Sequence, residues 1–412
     1  MPTIAVLGTF DTKGPEHAFV AEAIRKEKFT ALLIDVGSLS APTIRADIPV
    51  AEVISEELDA RAILARRDRG ESVAMMARAA ARTVVRLAAQ EKIHGIISLG
   101  GGGGTAIATA AMRALPIGFP KVMVSTLASG QTAPYVGTAD IAMFAAVVDV
   151  SGINRVSRAV FENAAGAICG MVTAAEARRR APANDKPIVV ASMFGNTTSC
   201  VTEARRVVEG AGYEVLVFHA TGTGGRSMEA LIASGLVAGA LDLTTTEWAD
   251  ELVGGILGAG VHRLDAAAET GIPAVIAPGC LDMVNFGERG TVPAKFAGRT
   301  FYQHNPQVTL MRTTPEECAE LGRILAEKIN RYTGPVTVAL PRGGISLISA
   351  PGQPFHDPAA DKALFDALTS QLRASVRVID SRFAINDPPF ARLCADALLE
   401  QLGHERRPPR NP

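Results

Sequence analysis

Residues 6–14 read VLGTFDTKG: an apolar run breaks into Thr9, Phe10, Asp11, Thr12, Lys13 and Gly14. Residues 98–105 read SLGGGGGT, with Gly100, Gly101, Gly102, Gly103 and Gly104 in succession before Thr105. Each glycine costs conformational entropy and adds no packing. Such a run serves to bring backbone N–H groups up to an anion at a helix N-terminus. Lys13 supplies the point charge that a glycine loop lacks. Asp11 is a candidate Mg²⁺ contact, because that ion takes one or two carboxylates beside phosphate oxygens. Thr9, Thr12, Thr105 and Thr126 offer hydroxyls, and the turn STLASG adds Ser129 and Gly130. Asp35, in DVGS with Gly37, is placed to accept from a ribose hydroxyl. The alternative makes Asp11 a helix N-cap and Lys13 a solvated side chain. The combination with the glycine run favours a nucleotide phosphate site. It is not a Walker loop, since no GKS or GKT follows, and it lacks the GxGxxG spacing of a first βαβ unit. The acid of a kinase GGDGT loop is a glycine here.

The second half carries a different set. FHATGTGGRSME places His219 before Gly222, Gly224, Gly225 and Arg226, a second candidate anion loop. TTTEW contributes Glu247, PGCLD contributes Asp282, FYQHNP contributes His304 and LPRGG contributes Arg342. Histidine with a carboxylate can serve as general acid and base, and arginine can clamp a carboxylate or phosphate. These five are the candidate catalytic residues. Cys280 reads as a buried thiol rather than a nucleophile.

Elements must bring such scattered residues together. Shifted by 184 residues, the segment from Ile4 falls on the segment from Ile188 without a gap, and Phe10 falls on Phe194. Each copy reads strand, turn, amphipathic helix, strand, a parallel βαβ unit. Further short apolar runs bounded by glycine and polar residues follow in both halves, as buried parallel strands do. A parallel sheet gathers the turns after its strands at one edge. The fold class expected is α/β, with two Rossmann-like three-layer subdomains and mostly parallel sheets. Residues 176–187, EARRRAPANDKP, read as the linker between a domain at 1–180 and another at 187–403, with a frayed tail at 404–412.

At 412 residues, 48% hydrophobic and 20% charged, the chain can bury a large core. A net charge of −1 argues against a basic face for nucleic acid. The five cysteines form no CxxC pair and fit reduced, buried thiols. The start, MPTIAVLG, lacks the features of a signal peptide, and no apolar run reaches the ~18 residues of a membrane span. The expected location is cytoplasmic.

GTFDTKGPE, SLGGGGGTAIAT and STLASGQTAPYVGTADIAM, with TGTGGRSME, PGCLDMVNFG and LPRGGISLISAPGQPFHDPAADKALFDAL in the second half, resemble the ATP-binding domain family named after the tomato mosaic virus resistance protein. The resemblance runs through both halves. It implies ATP binding in the N-terminal half, two Rossmann-like subdomains and a homodimer. Because the first half keeps Asp and Lys while the second keeps His, Glu and Arg, the expected function is an ATP- and Mg²⁺-binding enzyme that transfers a phosphoryl or adenylyl group to a small acidic metabolite. The alternatives are a non-enzymatic, ATP-dependent binding module, and a lyase or hydrolase whose site lies in the second half.

Overall fold

The computed structural model describes residues 1–180 and 185–403; the expected tail at 404–412 lies outside the described residues. The chain divides into two compact units, Met1–Ala183 and Asn184–Pro412. The expected linker is helical in its first part, because a helix runs over Arg155–Arg180 and includes EARRR. Among the described residues no helix is long and apolar enough to cross a membrane.

The first unit is a five-stranded parallel sheet of β1 (Thr3–Gly8), β2 (Thr30–Asp35), β3 (Gly95–Gly100), β4 (Lys121–Ser125) and β5 (Ala142–Ala145), in the order β2-β1-β3-β4-β5. Alternate residues of β1 feed opposite faces. Ile4 and Val6 pack with Phe10, Val20, Phe161 and Ile168 from the helices Phe10–Lys26 and Arg155–Arg180. Ala5 and Leu7 pack with Met75, Ala79 and Ile107 from the helices Arg69–Ala89 and Gly102–Arg113. Burial on both faces explains why the strands are almost wholly apolar. Strand order reverses between β1 and β3, so the crevice for a ligand lies past Gly8 and Gly100. The last strand, β5, stops at Ala145, and Val147 turns left-handed at φ 66°.

The second unit repeats this plan. β6 (Ile188–Met193), β7 (Glu214–His219), β8 (Val237–Thr244) and β9 (Ala274–Gly279) are parallel, as are two late strands. An antiparallel insert that sequence reading missed follows β9: β10 (Met283–Phe286), β11 (Phe301–Asn305) and β12 (Val308–Arg312). β13 (Val336–Pro341) and β14 (Arg377–Ser381) then complete the main sheet, β14-β13-β9-β8-β6-β7. Helices Thr198–Gly210 and Pro388–Gln401 cover one face. Helices Thr223–Ala233, Pro315–Asn330 and Pro358–Gln371 cover the other. Both units are thus α/β, three-layered and mostly parallel, and β7-β6-β8-β9-β13 reproduces the order of the first sheet.

Candidate functional site

A cleft of about 370 Å³ opens at the strand reversal of the first unit, lined by Thr9, Asp11, Thr12, Lys13, Ser38, Leu39, Arg69, Val73, Gly100–Gly104, Ile107 and Asp149. Gly101 follows β3 as the N-cap of the helix Gly102–Arg113. The first-turn N–H groups of a helix have no intrahelical acceptor, and here they border the cleft. None of the five glycines has a positive φ. A methyl group on Gly101, Gly103 or Gly104 would come no nearer than 3.6 Å to any atom, and on Gly102 it would meet nothing within 4 Å. Only Gly100 is tight, at 3.1 Å from Gly104 Cα. Neither backbone conformation nor protein packing therefore requires four of these glycines, although alanine would favour the helix by up to about 1 kcal/mol per site. What remains for them is to keep the cleft-side backbone bare.

Two cations face this backbone from different elements. Lys13 lies in the first turns of the helix Phe10–Lys26, where its own φ −132° and ψ 25° break the helical path. Arg69 opens the helix Arg69–Ala89, whose N-cap Asp68 accepts from Glu71 N at 2.8 Å. Neither forms an ion pair among the described residues, and Arg69 Nη2 lies 3.6 Å from where a Gly103 methyl would sit. Sequence reading missed Arg69. The Asp68-x-x-Glu71 pattern was the signal available, because it marks a helix start, and helix starts in βαβ units fall at the ligand edge.

Several expected ligands have other tasks. Phe10 is fully buried in the core. Asp35 Oδ1 accepts from Phe10 N at 3.1 Å and Gly37 N at 2.9 Å, so the carboxylate ties β2 to the first helix instead of reading a ribose. Burial pushes its pKa up. Thr105 is buried and shares a hydrogen bond of 2.7 Å with Ser125 Oγ. Thr9 and Thr12 line the cleft but pair with each other at 3.0 Å. Gly37, Thr126, Ser129 and Gly130 lie outside the lining. Asp11 Oδ2 accepts from Leu39 N at 2.8 Å and Ser40 N at 3.4 Å, while Oδ1 is covered, without a partner. Asp11 anchors the 37–40 loop and fits a metal poorly. Asp149 is exposed on the cleft wall. No group of three or more His, Cys, Asp or Glu suited to a metal occurs among the described residues.

The second unit does not assemble its five candidates. Its glycine loop already holds an anion: Glu247 Oε1 accepts from Gly222 N at 2.7 Å and Gly225 N at 3.0 Å. Glu247 Oε2 meets the fully buried Arg263 at 2.7 Å, and Arg263 also grips Asp242 at 2.5 and 2.6 Å and Glu229 at 3.0 Å. Glu247 is thus a structural counter-ion, not an acid or base. Inorganic phosphate should consequently find no site at Gly222–Gly225, which a calorimetric titration of the chain with phosphate checks. Asp282 is buried and accepts from Ser346 Oγ at 2.7 Å. Arg342 forms two bonds of 2.8 and 2.9 Å to Asp380 and covers the Phe365 ring. His219 is exposed and stacks on Phe194 at 5.4 Å. His304 sits on the exposed tip of the β11–β12 hairpin, whereas Asp282 adjoins the opposite end through Thr313 N. The five residues or so of strand between those ends span about 13–17 Å, so the two cannot share one substrate atom. Cys280 is buried at φ 59°, and desolvation raises its thiol well above the usual range.

Burial also raises Asp250 to about 7 and Asp282 to about 6. The folded state then holds protons that the unfolded chain releases near pH 4, so their stabilising effect is full below about 4 and is lost as pH rises through 6 to 7. The second unit should resist urea better at pH 5.5 than at pH 8. Asp250→Asn should flatten that slope, which reaches about 1.4 kcal/mol per pH unit per group. Fluorescence of Trp248, the chain's single tryptophan, reads the transition.

Residues 2–177 match the N-terminal domain, and residues 186–402 the C-terminal domain, of the uncharacterised protein family UPF0261. The chain belongs to the UPF0261 family. A UPF0261 protein of Clostridium tetani is 48% identical over 97% of this chain and 98% of its own length. A UPF0261 protein of Rhizobium meliloti is 46% identical over 96% of this chain and 98% of its own. The tomato ToMV resistance protein Tm-1(GCR237) (Solanum lycopersicum) is 41% identical over 97% of this chain and 56% of its own, so this UPF0261 chain corresponds to little more than half of the plant protein. Among solved structures, UDP-GlcNAc 2-epimerase from Methanocaldococcus jannaschii aligns over 99% of this chain and 94% of its own at 10% identity, with a TM-score of 0.23. The Rickettsia bellii UDP-N-acetylglucosamine 2-epimerase aligns over 67% of this chain and 78% of its own at 10% identity and a TM-score of 0.22. Likeness this low carries no functional inference.

Proposed function

We propose that this UPF0261 chain binds ATP in the first unit, with the phosphates on the N–H groups of Gly101–Gly104 between Lys13 and Arg69. The bare glycine backbone carries this reading: four glycines border the cleft where the protein itself has room for side chains. Two cations without an ion pair among the described residues, together with a helix N-terminus, make the cleft attractive to a chain of phosphates. When Mg²⁺ accompanies the nucleotide, Asp149 is the available carboxylate.

The scatter of His219, Glu247, Asp282, His304 and Arg342 favours a second component to the reading. Phosphoryl or adenylyl transfer to a metabolite in the second unit, like a lyase or hydrolase there, needs convergent groups that these five do not supply. ATP-dependent binding, in which nucleotide biases the loops of the first unit toward a partner or effector, needs none of them.

A double substitution Gly102→Ala/Gly103→Ala tests the site. Stability should stay equal or rise by about 0.5–1 kcal/mol per site, since both positions tolerate a methyl group. ATP affinity should nevertheless fall at least tenfold, as the methyl groups occupy the space of the phosphates. Unchanged affinity in calorimetry would place the nucleotide elsewhere. Incubation of the native chain with ATP and Mg²⁺ tests the non-enzymatic component, which predicts binding without ADP, AMP or pyrophosphate release.

A further inference from the structure

The phosphate grip comes from two separate elements, so something must hold them in register. We propose that the buried His17 is the positioning residue that fixes Lys13 against the glycine loop; this rests on the phosphate reading above. His17 is fully buried and cannot touch a ligand. Its Nδ1 lies 2.7 Å from the carbonyl of Lys13, and its Nε2 lies 3.4 Å from the N–H of Leu99, the residue before Gly100. A carbonyl only accepts and an amide N–H only donates, so the ring is neutral with its proton on Nδ1. Burial lowers its pKa to about 4, in keeping with that state. The same ring fills the space beside Gly8, the last residue of β1, where a methyl group would overlap it. Phe10 packs on it at 5.5 Å.

One imidazole therefore touches the backbone at each wall of the cleft: Gly8 before Thr9, Lys13 itself, and Leu99 before Gly100. Lys13 is also where the helix loses its regular path, with Pro15 two residues on contributing no N–H. Lys13 N still bonds the Thr9 carbonyl at 2.8 Å, and the His17 ring adds a hold on the Lys13 carbonyl from the core side. Functional groups kept within about 0.5 Å of their working geometry depend on such buried supports.

A double-mutant cycle in the full chain separates positioning from packing. His17→Ala should lower ATP affinity about tenfold, and Lys13→Ala made in that background should cost less than about threefold, because the lysine has already lost its placement. Gly8→Ala/His17→Ala refills part of the ring's space and should regain stability without regaining affinity. His17→Asn, whose amide can still donate toward Lys13, should recover affinity relative to His17→Ala. Melting curves and calorimetric titrations with ATP and Mg²⁺ read all four. A native chain that binds while His17→Ala and the Gly8→Ala/His17→Ala swap bind equally well overturns the inference alone. So does a Lys13→Ala loss that is as large in the His17→Ala background as in the native chain. A native chain that gives no heat with ATP overturns the phosphate reading and this inference with it.

Discussion

Arg263→Leu should destabilise the second unit by about 3–5 kcal/mol, a large part of the 5–15 kcal/mol that holds a typical domain folded. Arg263 is 1% exposed and, among the described residues, is the only cation bonded to Asp242 and Glu247, which are 3% and 1% exposed. Glu229 leans on it too, and burial already raises that carboxyl's pKa. Removing the guanidinium strands two or three buried carboxylates at once. Each must then take up a proton or drag water into the core. The damage should spread to the loop at Gly222–Gly225, whose amides hold Glu247. Trp248 adjoins Glu247 and packs in the core of this unit, so the fluorescence midpoint in urea should fall sharply. Arg263→Lys should be only a partial remedy, since one ammonium cannot reproduce the two-pronged contact with Asp242. A midpoint unchanged in Arg263→Leu would mean that the cluster is hydrated and contributes little.

Lys13→Ala should weaken ATP binding about ten- to a hundredfold, the cost of about 1.5–3 kcal/mol for losing one charged hydrogen bond. Stability should change by no more than about 0.5 kcal/mol, because Lys13 is half-buried and bonded to no carboxylate among the described residues. Arg69→Ala should act in the same direction. Lys13 is held by a kinked helix and a buried imidazole, whereas Arg69 stands exposed at a helix start, so the lysine should matter more. Both losses should shrink as salt is raised, as expected of exposed charge–charge attraction.

Much of the lining of this cleft is legible in the sequence. Lys13 and Gly100–Gly104 are far apart in the chain, but both follow apolar runs, and a parallel sheet sends all such turns to one edge. The repeat of Ile4 on Ile188 likewise becomes the shared strand order of the two sheets. Arg69 was hidden because it lies inside the long connection between Asp35 and Gly95, where only the helix start reveals which edge a residue reaches. Glu247 shows a deeper limit. A glycine loop looks the same in sequence whether its amides await a phosphate or already hold a carboxylate from 22 or 25 residues away. Thr105, Asp35 and Phe10 have partners in the fold for a related reason: residues at strand ends also close the core, and hydroxyls or carboxylates there bond neighbouring backbone and side chains.

A crystal structure of the chain grown with a non-hydrolysable ATP analogue and Mg²⁺ is the most direct measurement. Phosphate density within hydrogen-bonding distance of the Gly102–Gly104 amides and of Lys13 Nζ is the predicted result, with nothing bound at Gly222–Gly225. A nucleotide seated anywhere else, or a cleft holding only water at saturating analogue, would contradict the assignment of this glycine loop to phosphate.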